Sequence, residues 1–109
     1  MQRTLAIIEL EKARSARSIG NEGMARVLAR RAAGLSIRAY LQQKNEVISN
    51  LSLNKLIKEE SVRNLLPPII HKELDRLCMR VDVNYHLPGN MDLINDAQTI
   101  MNILNDYGE

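Results

Sequence analysis

The chain contains no Trp and no Phe, and its aromatic side chains are Tyr40, Tyr85 and Tyr107. A core without large rings must be built from Leu, Ile, Ala, Val and Met, which suits helix packing on helix. The shortage also removes most of the stacking platforms that single-strand nucleic-acid binders use. Cysteine is equally scarce. Cys78 stands alone, so no disulfide framework and no thiolate-rich metal site can form within one chain. Long apolar runs are absent too. The opening Leu5-Ala6-Ile7-Ile8 stops at Glu9, too short for the apolar region of a signal peptide, and no stretch approaches the length of a membrane span. The cytoplasm is the expected location, with no membrane partner.

What remains is an ordinary globular composition over 109 residues, the size of one domain able to bury a core unaided. A single domain over residues 1–109 is expected. The net charge of +2 is too balanced to name a partner. It is unevenly spread, however. The first 44 residues hold nine Lys or Arg against Glu9, Glu11 and Glu22, a charge of +6, and the remainder carries −4.

Hydrophobic spacing predicts an all-α fold, an antiparallel bundle of four to five helices. The first helix is expected over Thr4–Ser18, with Leu5 and Ile8 on one stripe and Ile7 and Leu10 on another. Gly20, Asn21 and Gly23 then favour a tight turn, because Gly and Asn tolerate positive φ. A link this short makes the next helix an antiparallel neighbour. That second helix is expected over Glu22–Gln43. It is apolar almost all round, the pattern of a helix buried on several sides. Ala25, Ala29, Ala32, Ala33, Gly34 and Ser36 are small enough to let neighbouring backbones approach, so this should be the central helix or part of a subunit interface.

A third helix is expected over Asn45–Glu60, with Ser49, Asn50 and Ser52 leaving room for a break. A fourth should start at Pro67-Pro68, since proline is tolerated in a first helical turn. It carries Ile70, Leu74, Leu77, Cys78 and Val81 on one face, where Cys78 would act as a small hydrophobe. Val81–Asn90 reads as a connector with a Pro88-Gly89 turn. The last helix should begin after Asp92 as its cap, bury Leu93, Ala97, Ile100, Met101 and Leu104, and end at Gly108.

Chemistry-bearing patterns are few. His71 and His86 stand outside any ligand spacing, so no metal site and no cofactor are expected. Phosphate loops, Ser-His-Asp orderings and Glu-x-x-His motifs are missing. His71, beside Glu73 and Asp75, reads as a surface or hydrogen-bonded polar group. Arg26 and Arg30 lie one turn apart on one edge of the second helix, with Arg31 and Arg38 on another. These four are candidates for binding phosphate groups of RNA or a nucleotide, because Arg makes bidentate phosphate contacts. The alternative is that they pair with Glu9, Glu11 and Glu22 or stay solvated.

The stretch Leu5–Leu41, a helix, a Gly/Asn turn and the Ala-rich run Gly23–Leu41, resembles the first two helices of HEPN-domain proteins. Met91–Ala97 resembles a final helix of the same family. Gly34-Leu35-Ser36-Ile37 departs from it, standing where members more usually carry a Glu-Lys pair. The resemblance implies a small up-and-down helical bundle of prokaryotic type, commonly dimeric, associated with toxin or nucleotidyltransferase systems. A homodimer and a partner protein such as a nucleotidyltransferase are therefore expected. Active members resemble metal-independent endoribonucleases in which an Arg is followed a few residues later by a His. Arg80 and His86 have that spacing and are the catalytic candidates. His can exchange protons near neutral pH and Arg can stabilise the developing charge on phosphorus. The β-prone residues between them, and Pro88 just beyond, disfavour a shared helix face. Two readings follow: a non-catalytic HEPN-like interaction module that self-associates and binds a partner protein or nucleotide, or a toxin-like ribonuclease using Arg80 and His86.

Overall fold

The computed structural model of the chain describes residues 2–44, 51–79 and 92–107, and every regular element among them is helical. Helix α1 (Gln2–Ser18) turns back into α2 (Glu22–Gln43) through a link in which one residue serves both helices. Gly20 takes φ +84, and its N–H donates to the Arg17 carbonyl at 3.0 Å while the Asn21 N–H donates to the Ala16 carbonyl at 2.8 Å. This pair of bonds closes a helix through a left-handed glycine. The Asn21 side-chain oxygen then accepts the Met24 N–H at 3.2 Å and caps the start of α2. The boundaries of α2 are those the sequence predicts.

The face that α1 buries is not the one its large side chains suggest. Ala6, Leu10, Ala13 and Ala16 are buried, whereas Leu5, Ile7 and Ile8 are 46%, 50% and 44% exposed. Helix α1 packs more extensively on α2 than on any other element, and α2 presents its own buried alanines, Ala25, Ala29, Ala32 and Ala33. Methyl-sized ridges let two backbones settle close together, and the longer aliphatics are left on the flanks. Helix α2 also packs against α3 and α6, which makes it the central helix. Its Tyr40 is buried, with the Lys44 ammonium 5.5 Å from the ring centre.

The third predicted helix is shorter than its hydrophobic spacing suggests. Residues 45–50 lie outside the described residues, and α3 spans only Leu53–Lys58. Ser52 is extended, and its hydroxyl accepts the Lys55 N–H at 3.2 Å, so the helix starts at a cap. Extended Glu59 ends it and separates the single-turn α4 (Glu60–Arg63). Pro68 opens a 3-10 turn, Pro68–Ile70, that runs into α5 (His71–Leu77). Ile70, Leu74 and Leu77 are fully buried as the spacing predicts. Cys78 is not part of that face. It is exposed, because the helix ends at Leu77 and Cys78 turns away as its C-cap. Val81 and the expected connector Val81–Asn90 lie outside the described residues.

Asp92 Oδ1 accepts the N–H groups of Ile94 and Asn95 at 3.1 and 3.2 Å, capping α6 (Leu93–Tyr107). The stripe Leu93, Ala97, Ile100, Met101 and Leu104 is buried, and a fully buried Leu or Ile side chain contributes about 1.5–3 kcal/mol. Gly108, its expected terminator, lies outside the described residues. The molecule is thus all-α as expected. Its six described α-helices exceed the four to five expected because the stretch between Leu51 and Leu77 folds as short pieces.

Two ion-pair junctions hold the elements in place. Arg17, at the end of α1, donates to both Glu22 carboxylate oxygens at 3.0 and 2.7 Å and to Asp92 Oδ1 at 2.8 Å. One guanidinium thereby ties α1, α2 and the cap of α6. On the other side, Arg76 of α5 meets the buried Asp96 of α6 through Nε at 3.0 Å and Nη2 at 2.8 Å. No helix among the described residues is long and apolar enough to cross a membrane.

Candidate functional site

A groove of about 900 Å³ runs between the N-terminal half of α2, the start of α3 and the end of α5. Helix periodicity places Arg26, Arg30 and Val27 on the side of α2 that faces away from α1, and the capped start of α3 forms the opposite wall. Arg26, Arg30, Arg31 and Lys58 line the groove, and none of its described lining residues is a carboxylate. Its apolar floor comes from Val27, Leu53, Ile57, Leu77 and Met79.

The cations differ in what already holds them. Arg30 is half-buried and donates from Nε to the Leu77 carbonyl at 2.7 Å and from Nη2 to the Met79 carbonyl at 3.4 Å. It therefore satisfies carbonyls left open at the end of α5. Burial, and then the neighbouring charge of Arg26, push its proton affinity below the usual arginine range. Arg26 has a buried Nε without any hydrogen-bond partner. Arg31 sits on the outer lip, with its Nε 3.2 Å from Glu9 Oε2 of α1.

Three of the four arginines expected to bind phosphate thus line one groove, and the fourth does not. Arg38 donates from Nη2 to the Leu51 carbonyl at 2.7 Å and ties down the approach to α3. The expected pairing with hairpin carboxylates holds for Arg31 with Glu9 alone. Glu11 pairs instead with Arg14, and Glu22 with Arg17. The catalytic candidates Arg80 and His86 lie outside the described residues. His71 is engaged with backbone, its Nε2 2.9 Å from the Arg63 carbonyl, in keeping with a hydrogen-bonded polar group.

Cys78 opens onto the groove beside Met79. Its Sγ lies 3.5 Å from the Ile57 carbonyl and 3.6 Å from Arg63 Nη2. Arg63 itself pairs with Asp75 and donates to the Ile57 carbonyl at 3.1 Å. Burial lowers its proton affinity and Asp75 more than restores it, leaving it raised overall. Among the described residues no three His, Cys, Asp or Glu side chains are grouped as a metal ion would require.

Lys58 is not among the residues that the sequence pattern marks. It lies on a segment whose helix is only six residues long, and nothing in its local pattern distinguishes it from a solvated lysine. Only the fold of α3 against α2 brings it to the arginines. Comparison of the chain with protein-family models, with curated proteins and with solved structures finds no match.

Proposed function

We propose that this protein is a non-catalytic helical interaction module of HEPN-like arrangement that self-associates and takes a phosphate-bearing ligand, a nucleotide among the candidates, in the groove between α2, α3 and α5. The observation that carries the reading is the charge of that groove, where Arg26, Arg30 and Lys58 line the walls with no carboxylate among the described lining residues, and Arg31, paired with Glu9, stands at the lip. Guanidinium groups offer paired donors that match phosphate oxygens, and a half-buried, mutually repelled pair of arginines gains more from an anion than solvated ones do. The HEPN-like arrangement is supported by the antiparallel α1–α2 hairpin with its Gly-Asn link and by the central position of α2. Self-association is supported by Leu5, Ile8 and Met24, large apolar side chains left exposed on the hairpin.

The test is titration of the purified protein with inorganic phosphate and with ATP at low and high salt, beside sedimentation velocity at tens of micromolar. The expected result is binding that weakens as salt rises and a species heavier than one chain. No binding of either anion at low salt overturns the ligand half, and a strict monomer overturns the other. Structured RNA incubated with the protein is expected to stay intact. Cleavage that disappears in His86→Ala would replace this reading with the ribonuclease that uses Arg80 and His86.

A further inference from the structure

Resting on that reading, we infer that the groove selects a small amphipathic anion: a phosphate monoester whose head lies at Arg26 and Arg30 and whose aliphatic body lies along the floor between α2, α3 and α5. The position of the head follows from the two arginines. Arg30 is fixed in orientation because the Leu77 and Met79 carbonyls hold one edge of its guanidinium. Arg26 stands one turn away, and its buried Nε lacks a partner. The two like charges, one helical turn apart on α2, act on each other, and one anion set between them in the groove would neutralise the repulsion. Arg31 is less suited, since Glu9 already balances it. Lys58 belongs to the opposite wall and adds attraction at the rim.

The character of the body follows from the floor. Val27, Leu53, Ile57, Leu77 and Met79 are all aliphatic or thioether side chains, and no aromatic residue is among the described lining. A nucleobase would find no ring to stack on, and stacking supplies much of the affinity of base-binding clefts. An alkyl chain loses nothing by that absence, because burial of methylenes depends on area removed from water and not on ring geometry. Polymeric RNA is disfavoured for the same reason.

The test measures affinity for inorganic phosphate, butyl phosphate, octyl phosphate, AMP and a single-stranded RNA oligomer, each below any micelle-forming concentration, for the natural protein and for Arg26→Gln. Octyl phosphate is expected to bind more tightly than butyl phosphate, and butyl phosphate more tightly than inorganic phosphate, with up to about fourfold gained per buried methylene. Arg26→Gln is expected to weaken every phosphate by about tenfold or more, the loss expected for a charge-assisted hydrogen bond. Its melting temperature should not fall, since the substitution removes an unpaired buried N–H and a charge that repels Arg30. That combination separates loss of a ligand contact from loss of fold. Affinity that ignores chain length, or AMP or RNA binding more tightly than octyl phosphate, overturns the inference while leaving an anion-binding groove standing. Phosphate binding unchanged by Arg26→Gln overturns the head-group assignment. Failure of every anion to bind removes the inference and the underlying reading together.

Discussion

Gly34 of α2 and Leu53 of α3 lie so close that a Cβ on Gly34 would stand 2.9 Å from the Leu53 Cβ and 3.0 Å from its carbonyl oxygen. One of those atoms is backbone, so rotating a side chain cannot relieve the clash. The approach is reinforced four residues on, where Arg38 donates to the Leu51 carbonyl. The start of α3, and with it one wall of the groove, is set by these two contacts.

Gly34→Ala should therefore destabilise the protein even though alanine is the better helix former. The overpacking cost of about 1–3 kcal/mol exceeds the roughly 1 kcal/mol gained in helix propensity. Gly23 is the matched control, being on the same helix with nothing within 4 Å of its Cβ position. Gly23→Ala should leave stability unchanged or raise it by up to about 1 kcal/mol. Thermal melts of the two variants check the pair, and a Gly34→Ala protein as stable as the natural one would show that α3 moves freely.

Most of the fold is legible in the sequence where periodicity and caps agree. The α2 boundaries follow from Asn21 and the Gly20 turn, and the buried stripe of α6 follows from Leu93, Ala97, Ile100, Met101 and Leu104. The reading fails where size and position conflict. In α1, Leu5 and Ile8 are stronger hydrophobes than Ala6, Ala13 and Ala16, yet the alanines are the buried ones, because close contact with another alanine face decides the packing and no single-helix pattern reveals the partner. The groove is partly legible. Arg26 and Arg30 are marked by their spacing on α2, whereas Lys58 and the loss of Arg38 to the Leu51 carbonyl depend on how α3 folds back. One polar signal is present in the chain: Asp96 falls on the inner side of α6, four residues before Ile100, where a carboxylate demands a cation.

Arg76 is that cation. Asp96 is 4% exposed and receives three contacts from its guanidinium, and Glu73 of α5 stands on the same group at 3.5 Å. Replacing Asp96 by Ala leaves Arg76 without its main partner but with Glu73 and some solvent, and should cost about 1–3 kcal/mol. Replacing both, as Arg76→Met with Asp96→Leu, should cost clearly less, because neither charge is then left unpaired. Denaturant titration of the single and double variants measures the difference. A double variant no more stable than Asp96→Ala would mean that the pair contributes through packing alone.

Asn21 closes one helix with its backbone and opens the next with its side chain, and the two roles separate on substitution. Asn21→Ala removes only the bond to the Met24 N–H and should cost about 1 kcal/mol. Gly20→Ala strains the left-handed turn itself, where φ is +84, and should cost about 1–2 kcal/mol. Amide hydrogen exchange distinguishes them. The cap variant should expose the first turn of α2, whereas the turn variant should also loosen the end of α1.

The Arg17 junction predicts how the protein responds to acid. The Arg17 hydrogen bonds hold the Glu22 carboxyl below the usual carboxylate range, against an opposing effect of burial. Burial pushes the Asp92 carboxyl up, but the bonds from Arg17 and from the Asn95 and Ile94 amides outweigh it and leave it low. Arg17 stays protonated at every accessible pH, because these same partners raise its proton affinity. Both carboxyls titrate lower in the folded chain than in the unfolded one, so their stabilisation is complete above the unfolded values and is lost as pH falls through the folded ones. The melting temperature should therefore be flat near neutrality and drop below about pH 5, where unfolded carboxylates begin to take up protons. In Arg17→Met the neutral-pH melting temperature should be lower and the acid-side drop shallower, because Glu22 and Asp92 no longer differ as much between the two states. Melts of both proteins from neutral pH into the acid range decide it, and parallel curves would show that the junction carries none of the acid response.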